Sequence, residues 1–279
     1  MNETLKRSIS GAIYVFLLIA CILHSTESFF ILFGIFLLIT VVEFCDLVQI
    51  NKIIPLLIAG GSYFLFYTTN FQQDLIFWSK PALVPTLSAL ALTLFISIKC
   101  MVFLFDNKST QISTVSKYSY LIGYIILPFV FITKIPFGDK GYNPKIIIGI
   151  FILIWTNDTF AYIVGKSIGK TKLFERISPK KTIEGFVGGV IFAIIASYII
   201  AKYYIEIKEA NTYIWIIIAV IVGVFGTIGD LIESKFKRIA GVKDSGIIMP
   251  GHGGILDRLD SVIFVAPFVF LFYQILNYL

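Results

Sequence analysis

Long apolar runs, separated by short polar segments, cover most of the chain. A helix that crosses a membrane needs roughly 20 mostly apolar residues. Candidate runs lie near Ser8–Leu23, Phe29–Val48, Ile53–Thr69, Pro81–Phe105, Tyr118–Thr133, Lys145–Gly165, Thr182–Tyr204, Thr212–Phe236 and Arg258–Leu279. The pattern predicts an all-α polytopic membrane protein with about nine transmembrane helices.

The composition supports a lipid environment and excludes one class of partner. Hydrophobic residues make up 57% of the chain and charged residues only 14%, whereas a soluble domain is about a quarter charged. The net charge of +6 comes from basic residues confined to a few loops between apolar runs. Nucleic acid is therefore not an expected partner, and membrane lipids are.

The positions of Lys and Arg predict the orientation of the chain. Basic residues cluster at the start of the chain, in the loop before the seventh run and in the loop before the ninth. Such loops remain in the cytoplasm, and all three fall on one side in this arrangement. We expect a cytoplasmic N-terminus, an external C-terminus and location in the cell (inner) membrane. Residues 1–140 are expected to form a scaffold with oligomer contacts, and residues 141–279 the catalytic region.

Carboxylates interrupt several apolar runs, and a charge inside a membrane is costly unless it has a function. Asn157 and Asp158 lie within the sixth run, Asp230 lies near the end of the eighth, and Asp257 and Asp260 open the ninth. These groups are the first candidates for chemistry.

Helical spacing places some of these groups side by side. Asp257 and Asp260 are three residues apart, and Asp230 and Ser234 are four apart, so each pair shares a helix face. On the predicted topology the end of the eighth helix and the start of the ninth meet at the cytoplasmic side. Three carboxylates there would repel one another unless a cation lies among them. Oxygen ligands suit Mg²⁺, so Asp230, Asp257 and Asp260 are predicted Mg²⁺ ligands, with a second cation left open.

Structural roles for these carboxylates also remain open. The two that begin the ninth run could do no more than complement the helix dipole. Asp230 could form an ion pair with Lys237 or Arg238. Glu43 and Asp46 lie near the end of the second run, where a structural role is favoured.

The basic segment before the seventh run predicts an anion site. Ser178 is a suitable N-cap, and the proline after it suits the first helical position, so the helix is expected to begin near Lys180. Its free N–H groups, flanked by Lys180 and Lys181, would face the cytoplasm and bind an anion. The positive-inside rule is an alternative reason for the lysines, and anionic lipid head groups are another.

A histidine and two glycines precede the ninth run. Gly253 and Gly254 allow a backbone to approach a ligand closely, and His252 beside them has a structural or a functional role. Two pairs of glycines, Gly165 with Gly169 and Gly185 with Gly189, are each four residues apart. Close helix packing is as good an explanation for these glycines as a functional role.

The segment 234–260, SKFKRIAGVKDSGIIMPGHGGILDRLD, closely resembles the signature of the phosphatidate cytidylyltransferases, also called CDP-diacylglycerol synthases. The matching positions are Ser234, Lys237, Arg238, Lys243, Asp244, Gly246, Pro250, His252, Gly253, Gly254, Asp257, Arg258 and Asp260. The upstream stretches ND, AY, SPKKTIEG and GDLIES are also similar to this family. The resemblance covers the chain from Trp155 onward, and Met249 is a conservative departure from it.

The resemblance implies transfer of the cytidylyl group of CTP to phosphatidate, giving CDP-diacylglycerol and pyrophosphate for phospholipid synthesis. Both reactants are anionic, so positioning and charge neutralisation are the main tasks. The residues expected to act in catalysis are Asp230, Asp257, Asp260, Lys237, Arg238 and His252. Those expected to bind substrate are Asn157, Asp158, Ser178, Lys180, Lys181, Thr182, Glu184, Ser234, Lys243, Asp244, Gly253, Gly254 and Arg258. The sequence is also compatible with a homodimer.

Two other functions fit part of the pattern. A different membrane enzyme that uses CTP, such as a polyprenol kinase, would place similar groups near a metal. A cation transporter would also carry carboxylates within the membrane. The acidic groups cluster beside basic loops rather than along a path, and the sequence has no evident inverted repeat of the transporter kind, so the transporter is the weaker alternative.

Overall fold

The computed structural model describes residues 3–71, 80–106, 111–138, 141–206 and 211–278. The helices are α1 (Glu3–His24), α2 (Thr26–Val48), α3 (Ile53–Phe71), α4 (Lys80–Phe105), α5 (Thr114–Tyr120), α6 (Leu127–Lys134), α7 (Pro144–Ile168), α8 (Ile183–Ile199), α9 (Thr212–Ile239) and α10 (Leu256–Tyr278). A π-helical turn, Leu121–Ile126, joins α5 to α6, and another, Ile200–Ile205, extends α8. Two antiparallel hairpins pair β1 (Phe137–Gly138) with β2 (Gly141–Tyr142) and β3 (Lys172–Phe174) with β4 (Ser178–Thr182).

Within the described ranges, 8 helical segments are long and apolar enough to cross a membrane. They are Leu5–His24, Thr26–Val48, Val84–Phe105, Thr114–Lys134, Pro144–Ile168, Ile183–Ile205, Thr212–Ile239 and Leu256–Leu276. The apolar helical segment Ile53–Tyr67 is shorter. Every predicted run therefore contains a helix, which confirms the all-α polytopic class. The number of crossings and the orientation of the termini stay predictions.

The β3–β4 hairpin corrects the expected start of α8. Ser178 is not the N-cap, because β4 pairs with β3 and the strand ladder uses the backbone around Ser178. Thr182 caps the helix instead, with an extended backbone and an Oγ1 that accepts a hydrogen bond from Gly185 N at 3.1 Å. Lys180 and Lys181 consequently precede the helix on a hairpin rather than opening it.

Contacts between distant segments gather several helix ends at one end of the bundle. Near the end of α9, Lys235 Nζ donates to the carbonyl oxygens of Phe103 and Asp106 at the end of α4. Phe236 packs against Phe44 near the end of α2, with ring centroids 5.1 Å apart. The β3–β4 hairpin lies at this same end, where Lys181 pairs with Asp230 of α9. The loop between α9 and α10 lies there too, where Ile255 contacts Glu43 of α2. The two basic loops therefore share one end of the bundle.

Other contacts mark the opposite end of the bundle. Lys145 at the start of α7 lies 3.4 Å from Glu206, after the π-helical extension of α8. Tyr142 Oη donates to Ile22 O near the end of α1 at 2.8 Å. Helix α1 is otherwise peripheral, since only 11% of its most apolar stretch is buried, against 61% for α2.

Glycines allow α7 and α8 to pack closely. A Cβ at Gly185 would lie 2.6 Å from Ala161 O, and a Cβ at Gly189 would lie 2.7 Å from Asn157 O. Neither position has room for a side chain, which supports the helix-packing interpretation of these glycines. The close approach of α7 and α8 fixes the position of the polar pair of α7, Asn157 and Asp158.

Candidate active site

Close packing of α9 against α10 brings Asp230 and Asp260 together. A Cβ at Gly229 would lie 2.7 Å from Asp260 O, so only glycine permits this approach. The carboxylates of Asp158 and Asp230 both lie near Asp260, and Asp158 lines the same cavity as Asp260. Ser234 Oγ donates to Asp230 Oδ1 at 3.2 Å, as their spacing on one helix face predicts. Three helices thus contribute to one acidic cluster, formed by Asp158, Asp230 and Asp260.

Asp257, at the start of α10, lies in a cradle of donors. Its Oδ2 accepts hydrogen bonds from Ser245 N at 2.8 Å, Ser245 Oγ at 2.9 Å and Gly254 N at 2.7 Å. Its Oδ1 lies 2.6 Å from Lys237 Nζ, and the side chain is only 5% exposed. Both oxygens of Asp257 therefore have protein partners.

These contacts bear on whether the predicted carboxylates could hold Mg²⁺. In the described residues, no group of three or more His, Cys, Asp or Glu side chains is arranged to hold a metal ion. Protein groups contact both oxygens of Asp257, and Ser234 and Lys181 likewise contact the two oxygens of Asp230. Carboxylates of the acidic cluster still supply the oxygen ligands that Mg²⁺ prefers, and Mg²⁺ commonly uses one or two carboxylates with substrate phosphates and water. The acidic cluster therefore fits a Mg²⁺ site that substrate phosphates and water complete, rather than one in which the protein supplies every ligand.

Two lysines pair with the carboxylates. Lys237 Nζ lies 2.5 Å from Glu233 Oε2 as well as 2.6 Å from Asp257, and it is only 11% exposed. Asp230 pairs with Lys181 of β4, at 2.5 Å, rather than with Lys237 or Arg238. The hairpin thus reaches the acidic cluster through its last strand.

The remaining predicted basic residues and Asp244 lie at the surface. Arg238 donates to Val242 O at 3.0 Å, and Arg258 donates to His252 O at 3.0 Å. The exposed residues of this group are Lys180, Arg238, Lys243, Asp244 and Arg258. The four cations among them are accessible to an anionic ligand, whereas Lys237 is buried between two carboxylates.

Glu184 and Thr182 shape the hairpin. Glu184 accepts hydrogen bonds from Lys170 N and Thr171 N, each at 3.1 Å. Thr182 is 7% exposed and caps α8. Both residues therefore have structural partners in the segment that was predicted to bind substrate.

The two glycines before α10 use their N–H groups within the loop. Gly253 has φ of +86°, a left-handed conformation that favours glycine, and a Cβ there would lie 2.5 Å from Asp257 Oδ2. Gly253 N donates to Met249 O at 3.1 Å, and Gly254 N donates to Asp257. Each of these two N–H groups therefore has an acceptor within the loop, and the binding of substrate by Gly253 and Gly254 stays a prediction.

His252 connects this loop to α1. Ser10 Oγ hydrogen-bonds to His252 Nδ1 at 2.8 Å, and it also donates to Pro250 O at 3.0 Å. Burial lowers the pKa of His252 below its ordinary value of 6.5, and the nearby charges of Arg258 and Arg7 lower the pKa further. The imidazole is therefore neutral near pH 7.

The two polar residues of α7 have different surroundings: Asn157 is buried by helix packing, and Asp158 lies at the site. Asn157 is 2% exposed and packs against Gly189 and Gly223. Its Nδ2 donates to Asp158 Oδ1 at 3.3 Å, while Oδ1 has no hydrogen-bond partner in the described structure. Asp158 is exposed and faces a cavity.

This cavity, of about 250 Å³, lies between α1, α7 and the start of α10. Its polar lining comprises Asp158, His252, Asp257, Arg258, Asp260 and Ser261. Its apolar lining comprises Val15, Phe151, Ile154, Trp155, Met249 and Val262. Tyr14 of α1 also lines it, and the buried Tyr14 hydroxyl has no hydrogen-bond partner among the described residues.

Several residues of this site were not predicted from the sequence. Ser10 and Tyr14 look like ordinary members of an apolar run, and Ser245 like an ordinary loop residue. Glu43 gave the clearest signal, a carboxylate within an apolar run, but nothing in the sequence identified its partners.

Comparison with known proteins places these features in context. Residues 5–276 match the model of a family described as the cytidylyltransferase family. The chain is 49% identical over 146 residues to the phosphatidate cytidylyltransferase of Staphylococcus haemolyticus. It is 44% identical over 148 residues to that of Staphylococcus saprophyticus. Each alignment covers 52% of this chain and 54% of the relative, so the chain spans about half the length of the curated relatives it matches.

Proposed function

The chain belongs to the cytidylyltransferase family, and on this premise we propose that it transfers the cytidylyl group of CTP to phosphatidate. The products would be CDP-diacylglycerol and pyrophosphate. The names of the curated relatives support the choice of phosphatidate as acceptor. This is the reaction that the signature segment also implies.

The observation that carries the proposal is the mixed lining of the cavity. It includes carboxylates, Arg258 and His252 together with aromatic and aliphatic side chains. A substrate with a phosphate at one end and hydrocarbon at the other suits both kinds of lining residue. The Tyr14 hydroxyl, which has no partner among the described residues, would donate to the lipid phosphate.

The residues of the site bind and orient two anions. A phosphate oxygen of phosphatidate attacks the α-phosphorus of CTP, and pyrophosphate leaves. A phosphate dianion needs no general base, so neutral His252 contacts substrate rather than removing a proton. The exposed cations Lys180, Arg238, Lys243 and Arg258 neutralise the triphosphate and the leaving group, and the hairpin brings Lys181 to the same place.

Mg²⁺ is the proposed cofactor. Asp230 and Asp260 would hold it, with Asp257 as the third ligand predicted from the sequence. When bound, it supplies positive charge that neutralises the substrate phosphates. Asp158, the remaining member of the acidic cluster, would balance the charge of the metal ion. A second cation, which the sequence left open, would bind at the same cluster.

We also propose that this end of the bundle faces the cytoplasm, with the chain in the inner membrane. The basic hairpin and the basic loop before α10 support this orientation through the positive-inside rule. CTP is cytoplasmic, and the phosphate of a membrane lipid lies at the interface. The two substrates would therefore meet at the cavity. A homodimer remains a prediction from the sequence.

The deciding assay uses purified protein with CTP, phosphatidate and Mg²⁺ and follows pyrophosphate release. We expect release that depends on phosphatidate and that falls strongly in Asp230→Asn and Asp260→Asn variants. Asp46→Asn, which alters an exposed carboxylate, is the matched control. Absence of release by the wild-type protein, or undiminished release by both variants, would refute the proposal.

Replacing phosphatidate by a polyprenol distinguishes the nearest rival. A kinase would transfer the γ-phosphate of CTP to the alcohol and release CDP, whereas the proposed enzyme releases pyrophosphate. Cation flux into proteoliposomes without CTP would instead favour the transporter alternative.

A further inference from the structure

Glu43 lies near the end of α2, in the N-terminal half of the chain, yet its side chain contacts the start of α10. It is 4% exposed. Its Oε1 accepts a hydrogen bond from Ile255 N at 3.0 Å, and its Oε2 accepts one from Leu256 N at 2.8 Å. The first N–H groups of a helix have no acceptor within the helix, and a carboxylate there also complements the helix dipole. Glu43 therefore caps α10 from another helix.

Ser245 links Glu43 to Asp257. Its Oγ lies 3.2 Å from Glu43 Oε2 and 2.9 Å from Asp257 Oδ2. Its backbone N–H donates to the same oxygen of Asp257 at 2.8 Å. Ser245 is 7% exposed, so water does not readily replace these contacts. The two carboxylates are thus held at a set separation by one small residue.

The loop is built closely around the Glu43 carboxylate. A Cβ at either Gly246 or Gly254 would overlap the carboxylate oxygens of Glu43. The side chain therefore has little room to change its rotamer while the loop keeps its present path. Gly254 N is in turn a donor to Asp257, so the loop connects both carboxylates by a second route.

We propose that Glu43 is a positioning residue that holds residues 244–256 in place and, through Ser245, orients Asp257. Its catalytic consequence rests on the proposed function, whereas its effect on the loop does not. The N-terminal helices would then contribute to the active site instead of serving only as a scaffold.

Hydrogen–deuterium exchange of the detergent-purified protein tests the effect on the loop without any substrate. Glu43→Gln keeps the shape of the side chain but turns an amide NH₂ toward backbone donors. We expect peptides covering residues 244–257 to exchange faster in this variant. Asp46→Asn, one turn further along the same helix in an exposed ion pair with Lys52, should leave their exchange unchanged. Equal exchange in the Glu43→Gln and wild-type proteins would overturn the proposal.

Pyrophosphate release tests the catalytic consequence. Loss of a residue that orients a functional ligand typically costs about 10- to 100-fold, and we expect such a fall in kcat for Glu43→Gln. Because Glu43 acts through Ser245, the double variant with Ser245→Ala should be no slower than the slower single variant. Rate losses that multiply would contradict the link.

Two further outcomes remain decisive. If Glu43→Gln does not fold, Ser245→Ala removes only the hydroxyl link, and an unchanged kcat in that variant overturns the proposal. If the wild-type protein releases no pyrophosphate, the proposed function fails, while the exchange comparison still decides whether Glu43 holds the loop.

Discussion

Lys237 Nζ lies 2.6 Å from Asp257 Oδ1 and so joins the end of α9 to the start of α10. The same ammonium group pairs with Glu233, whose side chain is 1% exposed. One buried cation therefore serves two buried carboxylates. This arrangement explains how the buried carboxylates of Glu233 and Asp257 are accommodated.

Replacing Lys237 by Met should strongly destabilise the protein. Glu233 and Asp257 would be left buried without their cation, and removal of one partner of a buried pair costs about 3–5 kcal/mol. Chemical unfolding in detergent measures the loss. Lys52→Met breaks an exposed pair with Asp46 and should cost about 0–1 kcal/mol. Equal losses in the two variants would show that Lys237 is not a buried structural cation.

Replacing Lys181 by Met should weaken the use of CTP. Lys181 joins the hairpin to Asp230, and the proposed site places it near the triphosphate. We expect kcat/KM for CTP to fall about tenfold, equivalent to about 1.4 kcal/mol, with little change in KM for phosphatidate. Lys145→Met, at the opposite end of the bundle, should have no effect. A larger change for phosphatidate than for CTP would contradict this assignment.

Replacing Tyr14 by Phe separates binding from stability. The Tyr14 hydroxyl is buried without a partner, so its removal should not lower the free energy of unfolding. KM for phosphatidate should nevertheless rise several-fold if the hydroxyl donates to the lipid phosphate. Tyr63→Phe is the matched control, because Tyr63 Oη donates to Phe30 O at 2.8 Å. That variant should lose about 1 kcal/mol of stability and keep its KM.

Removal of divalent cations by a chelator should abolish pyrophosphate release, and Mg²⁺ should restore it. Asp260→Asn should raise the Mg²⁺ concentration that gives half-maximal activity, because one proposed oxygen ligand is weakened. Titration of activity with Mg²⁺ measures this shift. Full activity in the chelator would contradict the proposed cofactor.

Protonation of His252 should lower the stability of the protein in acid. Its folded-state pKa lies below the ordinary value of 6.5, so the unfolded chain takes up a proton more readily than the folded protein. The contribution is therefore fully present above pH 6.5 and is lost as the pH falls below that value. His252→Gln should reduce the decline in melting temperature between neutral and mildly acidic pH. An unchanged decline would show that His252 does not contribute to it.

Local patterns predicted much of the fold. Each apolar run contains a helix, because length and hydrophobicity are properties of consecutive residues. The expected N-cap at Ser178 was wrong for a different reason: strand pairing with β3 engages the backbone around it. Only contacts between segments could show that Thr182 is the cap.

The site shows the same division. The sequence determined which side chains could carry chemistry, since an aspartate in an apolar run is unusual wherever the chain goes. It also determined that Asp257 and Asp260 are near neighbours, because the helical repeat is local. The tertiary structure alone decided their surroundings: Gly229 brings Asp260 close to Asp230, whereas Ser245 and Lys237 hold Asp257. These partners are distant along the chain or on another helix face, and helix packing, rather than spacing, selects them.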